Sequence, residues 1–185
     1  FNLFAIDLSE SLSFDSISEL SIPSFLDQTI TRAITPAEGH SWNKSNLICY
    51  ISPTISSLYG SGVYNAIKAG ANGWSSTNAP SISITSNILS YDISIDMGDC
   101  GTTGWDGISN YYWIGNYYTL SDIQLNTTYL IDYLSNTGLW QAMTCHEMGH
   151  SLGLDHNTTT TSIMQPNTVD YYDYRDGDPN IKTPR

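Results

Sequence analysis

The chain has 185 residues, enough for one domain with a substantial hydrophobic core and too few for two large ones. Hydrophobic residues make up 40% of it and charged residues 13%, a composition typical of a globular protein and not of a disordered one. The formal net charge of −12 disfavours phosphate backbones and anionic lipid headgroups, and no apolar run reaches the roughly 20 residues of a membrane span, so we expect neither a nucleic-acid partner nor a membrane span.

Residues 1–41 are rich in serine and acidic residues, with scattered apolar side chains and prolines at positions 23 and 36. This pattern predicts an N-terminal extension wrapped on a domain that spans residues 42–185. The functional alternative is a prosegment that covers an active site, in which Asp7 or Asp15 could cap a metal. The sequence does not choose between these two interpretations.

Three strands and one helix are predicted in the first half of this domain. The apolar run at residues 47–52, ended by Pro53, predicts a buried strand. Apolar residues spaced as on one helix face predict an amphipathic helix over residues 63–74. Alternation with period two predicts half-buried strands at residues 81–85 and 91–95.

The second half is predicted to contain two more strands and a second helix. Residues 111–118 and 122–125 indicate strands, with an interruption at Gly115. Helical spacing over residues 138–152 follows, with Ser135, Asn136 and Thr137 as candidate caps and Gly153 as terminator.

A group of histidines on the second helix carries the chemical signal. His146 and His150 are four residues apart, so their imidazoles project from one helix face, as a tetrahedral zinc site requires. Glu147 beside them could take a proton from a metal-bound water and pass it to a leaving amine. Gly153 permits a sharp turn that returns His156 to the metal, and three imidazoles leave a fourth position open, as in catalytic zinc sites. Helical surface histidines without a metal are the alternative, which this specific eleven-residue pattern disfavours.

Met164 follows the third histidine by eight residues and precedes Gln165 and Pro166. A single methionine is usually core filler. If the chain turns back at Gln165, the Met164 side chain would lie beneath the metal, where it would support the site without ligating the metal.

These residues resemble the metzincins and, among them, the matrixin-like peptidases. The likeness runs from about residue 42 to about residue 175, and it includes Trp42, the helical pattern from Val63 to Trp74 and the strand at Asp92 to Ile95. It implies an α+β fold of the metzincin zincin type: a twisted mixed five-stranded sheet, an active-site helix, a Met-turn and a short C-terminal helix at residues 168–175.

The resemblance also implies roles for individual residues. It makes His146, His150 and His156 ligands of one catalytic zinc, Glu147 the general base and acid, and Met164 the Met-turn residue, with Gly153 as a structural support. It further implies that an edge strand of the sheet binds extended peptide by backbone pairing. The candidate strand runs from residue 108 to residue 113, and its candidate substrate-binding residues are Ile108, Ser109, Asn110 and Tyr111.

Three further features bear on additional metal sites and on the type of metzincin, and the first is a departure from the matrixin pattern. Met97-Gly98-Asp99 stands where matrixins open a structural zinc loop with a histidine, so no second histidine-built zinc site is expected. Four aspartates could hold calcium together with backbone carbonyls, but they fit no specific calcium-loop signature, and a solvated acidic loop is the favoured interpretation. They are Asp92, Asp96, Asp99 and Asp106. Pro166 occupies the place of the tyrosine found near the zinc in astacin- and serralysin-like proteins, so a tyrosine switch is not supported.

The three cysteines allow one internal disulfide at most. Cys145 should face away from the imidazoles and could pair with Cys49 or Cys100, and the sequence cannot select a pair. Cys100 could alternatively act as a thiolate cap on zinc in a latent form, although a disulfide or a buried thiol is the commoner fate.

The leading hypothesis is a secreted, monomeric zinc endopeptidase that cleaves extended segments of protein or peptide substrates. The extracellular location is inferred from the low lysine content, the polar uncharged composition and the peptidase chemistry. Two alternatives remain: a catalytically silent surface or binding protein that kept the fold, and a latent zymogen form.

Overall fold

A five-stranded sheet and three α-helices make up the computed structural model, which describes residues 39–128, 130–157 and 162–167. Residues 1–38 of the predicted N-terminal extension and the predicted helix at residues 168–175 lie outside these ranges. The strands are β1 (Asn46–Ile51), β2 (Ser81–Thr85), β3 (Ile93–Gly98), β4 (Gly107–Ile114) and β5 (Tyr117–Asn126). The helices are α1 (Thr54–Tyr59), α2 (Ser61–Ala71) and α3 (Thr137–Ser151), with short 3₁₀ helices at Asn72–Ser76 and Ile131–Tyr133.

The sheet is mixed, with the strand order β2-β1-β3-β5-β4. Neighbours among β1, β2, β3 and β5 run parallel, and β4 alone is antiparallel to its neighbour β5. Because β4 is the last strand in this order, its outer edge pairs with no other strand within the described ranges. The sheet therefore has an edge strand in the stretch where the sequence predicted one.

The core lies between one face of the sheet and helices α2 and α3. Strand β1 turns Leu47, Cys49 and Ile51 inward with period two, and β3 and β5 do the same with their alternate side chains. Helix α2 is amphipathic and buries a stripe that includes Val63 and Ile67. Helix α3 is buried on nearly all sides, so it forms the centre of the molecule.

The predicted α+β architecture is confirmed, and so is the predicted interruption at Gly115, which has φ 60° and lies in the turn between β4 and β5. The bounds of the two strands predicted at residues 111–118 and 122–125 need correction, because the residues before the turn belong to β4 and those from Tyr117 to Asn126 form the single strand β5. The strand predicted from residue 91 begins at Ile93. The short helix α1 was not predicted.

None of the helices in the described ranges combines the length and hydrophobicity needed to span a membrane.

Candidate metal centre

Helix α3 carries the first two histidines and is held firmly in place. Asn136 caps its N-terminus by accepting a hydrogen bond from the backbone N–H of Leu139, as one of the three candidate caps was expected to do. Farther along the helix, the indole N–H groups of Trp74 and Trp42 donate to the backbone carbonyls of Cys145 and Ser151 at 2.8 and 2.7 Å. These contacts fix the backbone that positions the two imidazoles.

A tight turn after α3 returns the chain to the same site. The N–H of Gly153 donates to the carbonyl of His150, and the N–H of Leu154 donates to the carbonyl of Gly149, which is the hydrogen-bond pattern of a Schellman cap. Gly153 has φ 94°, a conformation that strains any residue with a Cβ. The turn brings His156 beside His150, as the spacing predicted.

The three imidazoles converge through their Nε2 atoms. Nε2 of His150 lies 3.1 Å from Nε2 of His146 and 3.2 Å from Nε2 of His156. The Nδ1 atoms of His146 and His150 lie 2.7 and 2.8 Å from the carbonyl oxygens of Ile163 and Leu154. Since a carbonyl only accepts, each Nδ1 carries the proton and each Nε2 presents a lone pair.

This donor set fits zinc. Tetrahedral ligation with Zn–N bonds of about 2.0–2.1 Å separates the nitrogens by about 3.3 Å, close to the distances found here. Lone pairs facing each other at 3.1 Å repel unless a cation lies between them. Among the residues that the structure describes, these three histidines form the only group of three or more metal-ligating side chains within mutual reach.

Burial keeps the imidazoles in the neutral form that ligates a metal. Burial, together with the charge of neighbouring imidazoles, lowers the pKa of His146 to about 3 and that of His150 to about 4. The pKa of His156 is also lowered by burial, and the nearby Asp155 carboxylate partly opposes this effect.

Met164 lies beneath the histidines and packs against α3. It is fully buried, and a Cβ added at Gly149 would lie 2.3 Å from its sulfur. The carbonyl of Met164 accepts the N–H of Asn157, which connects this turn to the loop that carries His156. Gly149 is therefore needed for this close packing, a requirement that sequence reasoning missed because the contact is tertiary.

Glu147 follows the first histidine and packs against strand β4. Ser109 Oγ lies 3.0 Å from Glu147 Oε2, and a Cβ added at Gly107 would lie 2.7 Å from Oε1. Burial raises the pKa of Glu147 to about 8, and the hydrogen bond from Ser109 partly opposes that shift. The sequence did not indicate either contact.

The histidines and Glu147 open onto a cavity of about 460 Å³. One wall is β4, whose Ile108, Ser109 and Tyr111 line the cavity, whereas Asn110 does not. The opposite side is formed by the His156 loop and by Pro166 and Asn167. The cavity thus lies between the edge strand and the metal-binding residues.

Of the four aspartates considered as calcium ligands, Asp106 lines this cavity, and the other three are not part of its lining. The buried carboxylate of Asp92 forms an ion pair with Lys44 and accepts the N–H of Ile48 at 2.9 Å, so structural contacts already occupy it. Asp99 accepts hydrogen bonds from Thr128 and from the N–H of Gly101. Calcium binding by Asp96, Asp99 and Asp106 stays a prediction.

These features define a zinc peptidase of the metzincin class. They are a buried helix with two histidines and a glutamate, a glycine turn after it, and a third histidine followed by a buried methionine. The family model described as Matrixin matches residues 41–178, and the chain belongs to this family. It is a zinc metalloendopeptidase, with His146, His150 and His156 as the zinc-binding triad. No curated protein matches the chain.

Proposed function

We propose that the protein acts outside the cell and cleaves extended segments of protein substrates that pair with the outer edge of β4. Glu147 is the general base. The observation that carries this proposal is the position of Glu147, which lies beside the imidazole triad and against the strand that borders the cavity. Family membership supports protein substrates, and matrixins are typically secreted.

The chain's own residues account for binding and proton transfer. Zinc, when bound by the three imidazoles, lowers the pKa of a water molecule and polarises the scissile carbonyl. The positive charge of the bound zinc would favour the carboxylate form of Glu147, which accepts the proton of that water and delivers it to the leaving amine. Glu147 is 4% exposed at the wall of the cavity, which limits exchange of its proton with bulk water.

The edge strand gives the substrate its direction. The outer N–H and C=O groups of residues 108–111 face no strand within the described ranges, so an extended peptide can add to the sheet there. Pairing through the main chain holds the peptide backbone without selecting side chains, and Ile108 and Tyr111 line the adjoining cavity. This arrangement suits cleavage within a chain rather than at its ends.

Replacing Glu147 with Gln tests the mechanism. The amide cannot accept the proton, so kcat/KM for casein or a fluorogenic peptide should fall by about 10²- to 10⁴-fold. Asp132→Asn is the matched control, because Asp132 is exposed and its change should leave activity intact. Chelation should abolish wild-type activity, and zinc should restore it.

The alternative hypothesis, a catalytically silent binding protein that kept the fold, predicts a different result. In that case casein would bind to the protein, but neither the wild type nor the Glu147→Gln variant would release fragments. Cleavage that resists both chelation and the Glu147→Gln change would contradict the zinc mechanism itself.

A further inference from the structure

Strand β4 contacts the general base as well as bordering the cavity. Ser109 Oγ lies 2.7 Å from the main-chain carbonyl oxygen of Glu147 and 3.0 Å from its Oε2. Gly107, two residues earlier on the same face of the strand, leaves the space that the carboxylate fills. One strand therefore contacts both the main chain and the carboxylate of Glu147.

The geometry of the hydroxyl explains why this contact restricts motion. A hydroxyl has a single proton, so Ser109 donates to one of the two acceptors at a time. Both acceptors belong to Glu147, so the hydroxyl remains hydrogen-bonded to this residue with either acceptor. A glutamate side chain otherwise rotates about three bonds, and its immobilisation has an entropic cost. Because Ser109 and Gly107 restrict the Glu147 side chain in the folded protein, this entropic cost arises on folding and not when substrate binds.

We propose that Ser109 is a positioning residue for peptide hydrolysis: its hydroxyl sets the orientation of the Glu147 carboxylate. The inference rests on the proposed function, since it concerns the base of that reaction. It gives β4 two roles, because the strand that aligns the substrate backbone also aligns the base. Substrate register and base position are thereby fixed to the same strand, and a misplacement of about 1 Å in such a group can cost about 10²-fold in rate.

Replacing Ser109 with Ala removes the tether and leaves the strand. We expect kcat to fall by about 10-fold while KM changes by less than about twofold, because the outer edge of β4 is unaltered. Ser109→Thr keeps the hydroxyl in a residue that strands favour, so it should restore most of kcat. Gly107→Ala should also lower kcat, because its Cβ would displace the carboxylate.

Ser121→Ala is the matched control. Ser121 is a fully buried serine on the neighbouring strand β5, and its hydroxyl lies 2.8 Å from Ser151 Oγ and 3.1 Å from the carbonyl of Asn110. It joins α3 to β4 much as Ser109 does but does not contact Glu147. A purely structural role for Ser109 would give the two variants the same profile: lower stability with kcat retained.

A double-mutant cycle and zinc affinity complete the test. Adding Ser109→Ala to Glu147→Ala should cause no further loss of the residual activity, and chelator competition should show that Ser109→Ala binds zinc as the wild type does. An equal kcat for Ser109→Ala and wild type, a change confined to KM, or an additive loss in the double variant would each overturn the inference. An inactive wild type would instead overturn the proposed function and the inference with it.

Discussion

The three cysteines differ in their access to solvent. The structure contains them all as free thiols, with Cys49 and Cys145 fully buried and Cys100 partly exposed. Burial raises the pKa of Cys49 to about 12 and also raises that of Cys145. At Cys100, partial burial and, after it, the negative charge of Asp99 raise the pKa as well. Because the thiolate is the reactive species, the folded protein should react with a thiol reagent at Cys100 alone, and slowly.

Titration of the thiols in the absence of a reductant checks this prediction. One equivalent should react in the native state and three in denaturant, and Cys100→Ser should abolish the native reaction. A titre of one in denaturant would show that two cysteines are paired, and the free-thiol arrangement would then be wrong. The sequence left this question open, since counting cysteines cannot tell which side chains meet.

At the level of elements, helices α2 and α3 approach each other closely at Gly70. A Cβ at this position of α2 would lie 2.4 Å from the carbonyl oxygen of Gln141 and 2.8 Å from Thr144 Cβ, both on α3. Backbone cannot rotate away as a side-chain tip can, so Gly70→Ala must separate the two helices. We expect a loss of about 2–3 kcal/mol in the free energy of unfolding, measured with urea, and a lower melting temperature.

Gly62→Ala in the same helix is the matched comparison. Its Cβ would meet only Thr137 Cγ2, at an ordinary 3.6 Å. The substitution should therefore stabilise the protein by about 0.5–1 kcal/mol through helix propensity and a less flexible unfolded chain. Changes of the same sign at both positions would argue against close α2–α3 packing as the reason for Gly70.

Elements with strong local patterns were predictable from the sequence. Helix α3 was predictable from the spacing of its apolar residues, and the return of His156 to the site was predictable because a Schellman turn needs only Gly153 at the end of the helix. Helix α1 has six residues and buries only Ile55, too little for a periodic signal. The contact of Ser109 with Glu147 joins residues 38 apart, so it follows from the sheet order and not from any local pattern.

At the scale of the whole molecule, the metal site joins three separate segments. His146 and His150 come from α3, His156 comes from the loop that follows, and the turn at Met164 accepts hydrogen bonds from both. His156 itself is exposed and its backbone N–H bonds to the side chain of its own neighbour Asp155, so a bound metal would tie its imidazole to α3. Zinc binding should therefore contribute to folding as well as to catalysis.

Zinc removal should lower the melting temperature substantially. A ligand at about 1,000 times its Kd stabilises the native state by about 4 kcal/mol, and each kcal/mol shifts the midpoint by about 2–4 °C in a chain of this size. We therefore expect calorimetry to show a fall of about 8–16 °C on chelation. Glu147→Gln should keep this shift, because Glu147 is not a ligand, and His156→Ala should lose most of it. A shift retained in His156→Ala and lost in Glu147→Gln would mean that the metal binds elsewhere, because only the histidine supplies a nitrogen to the triad.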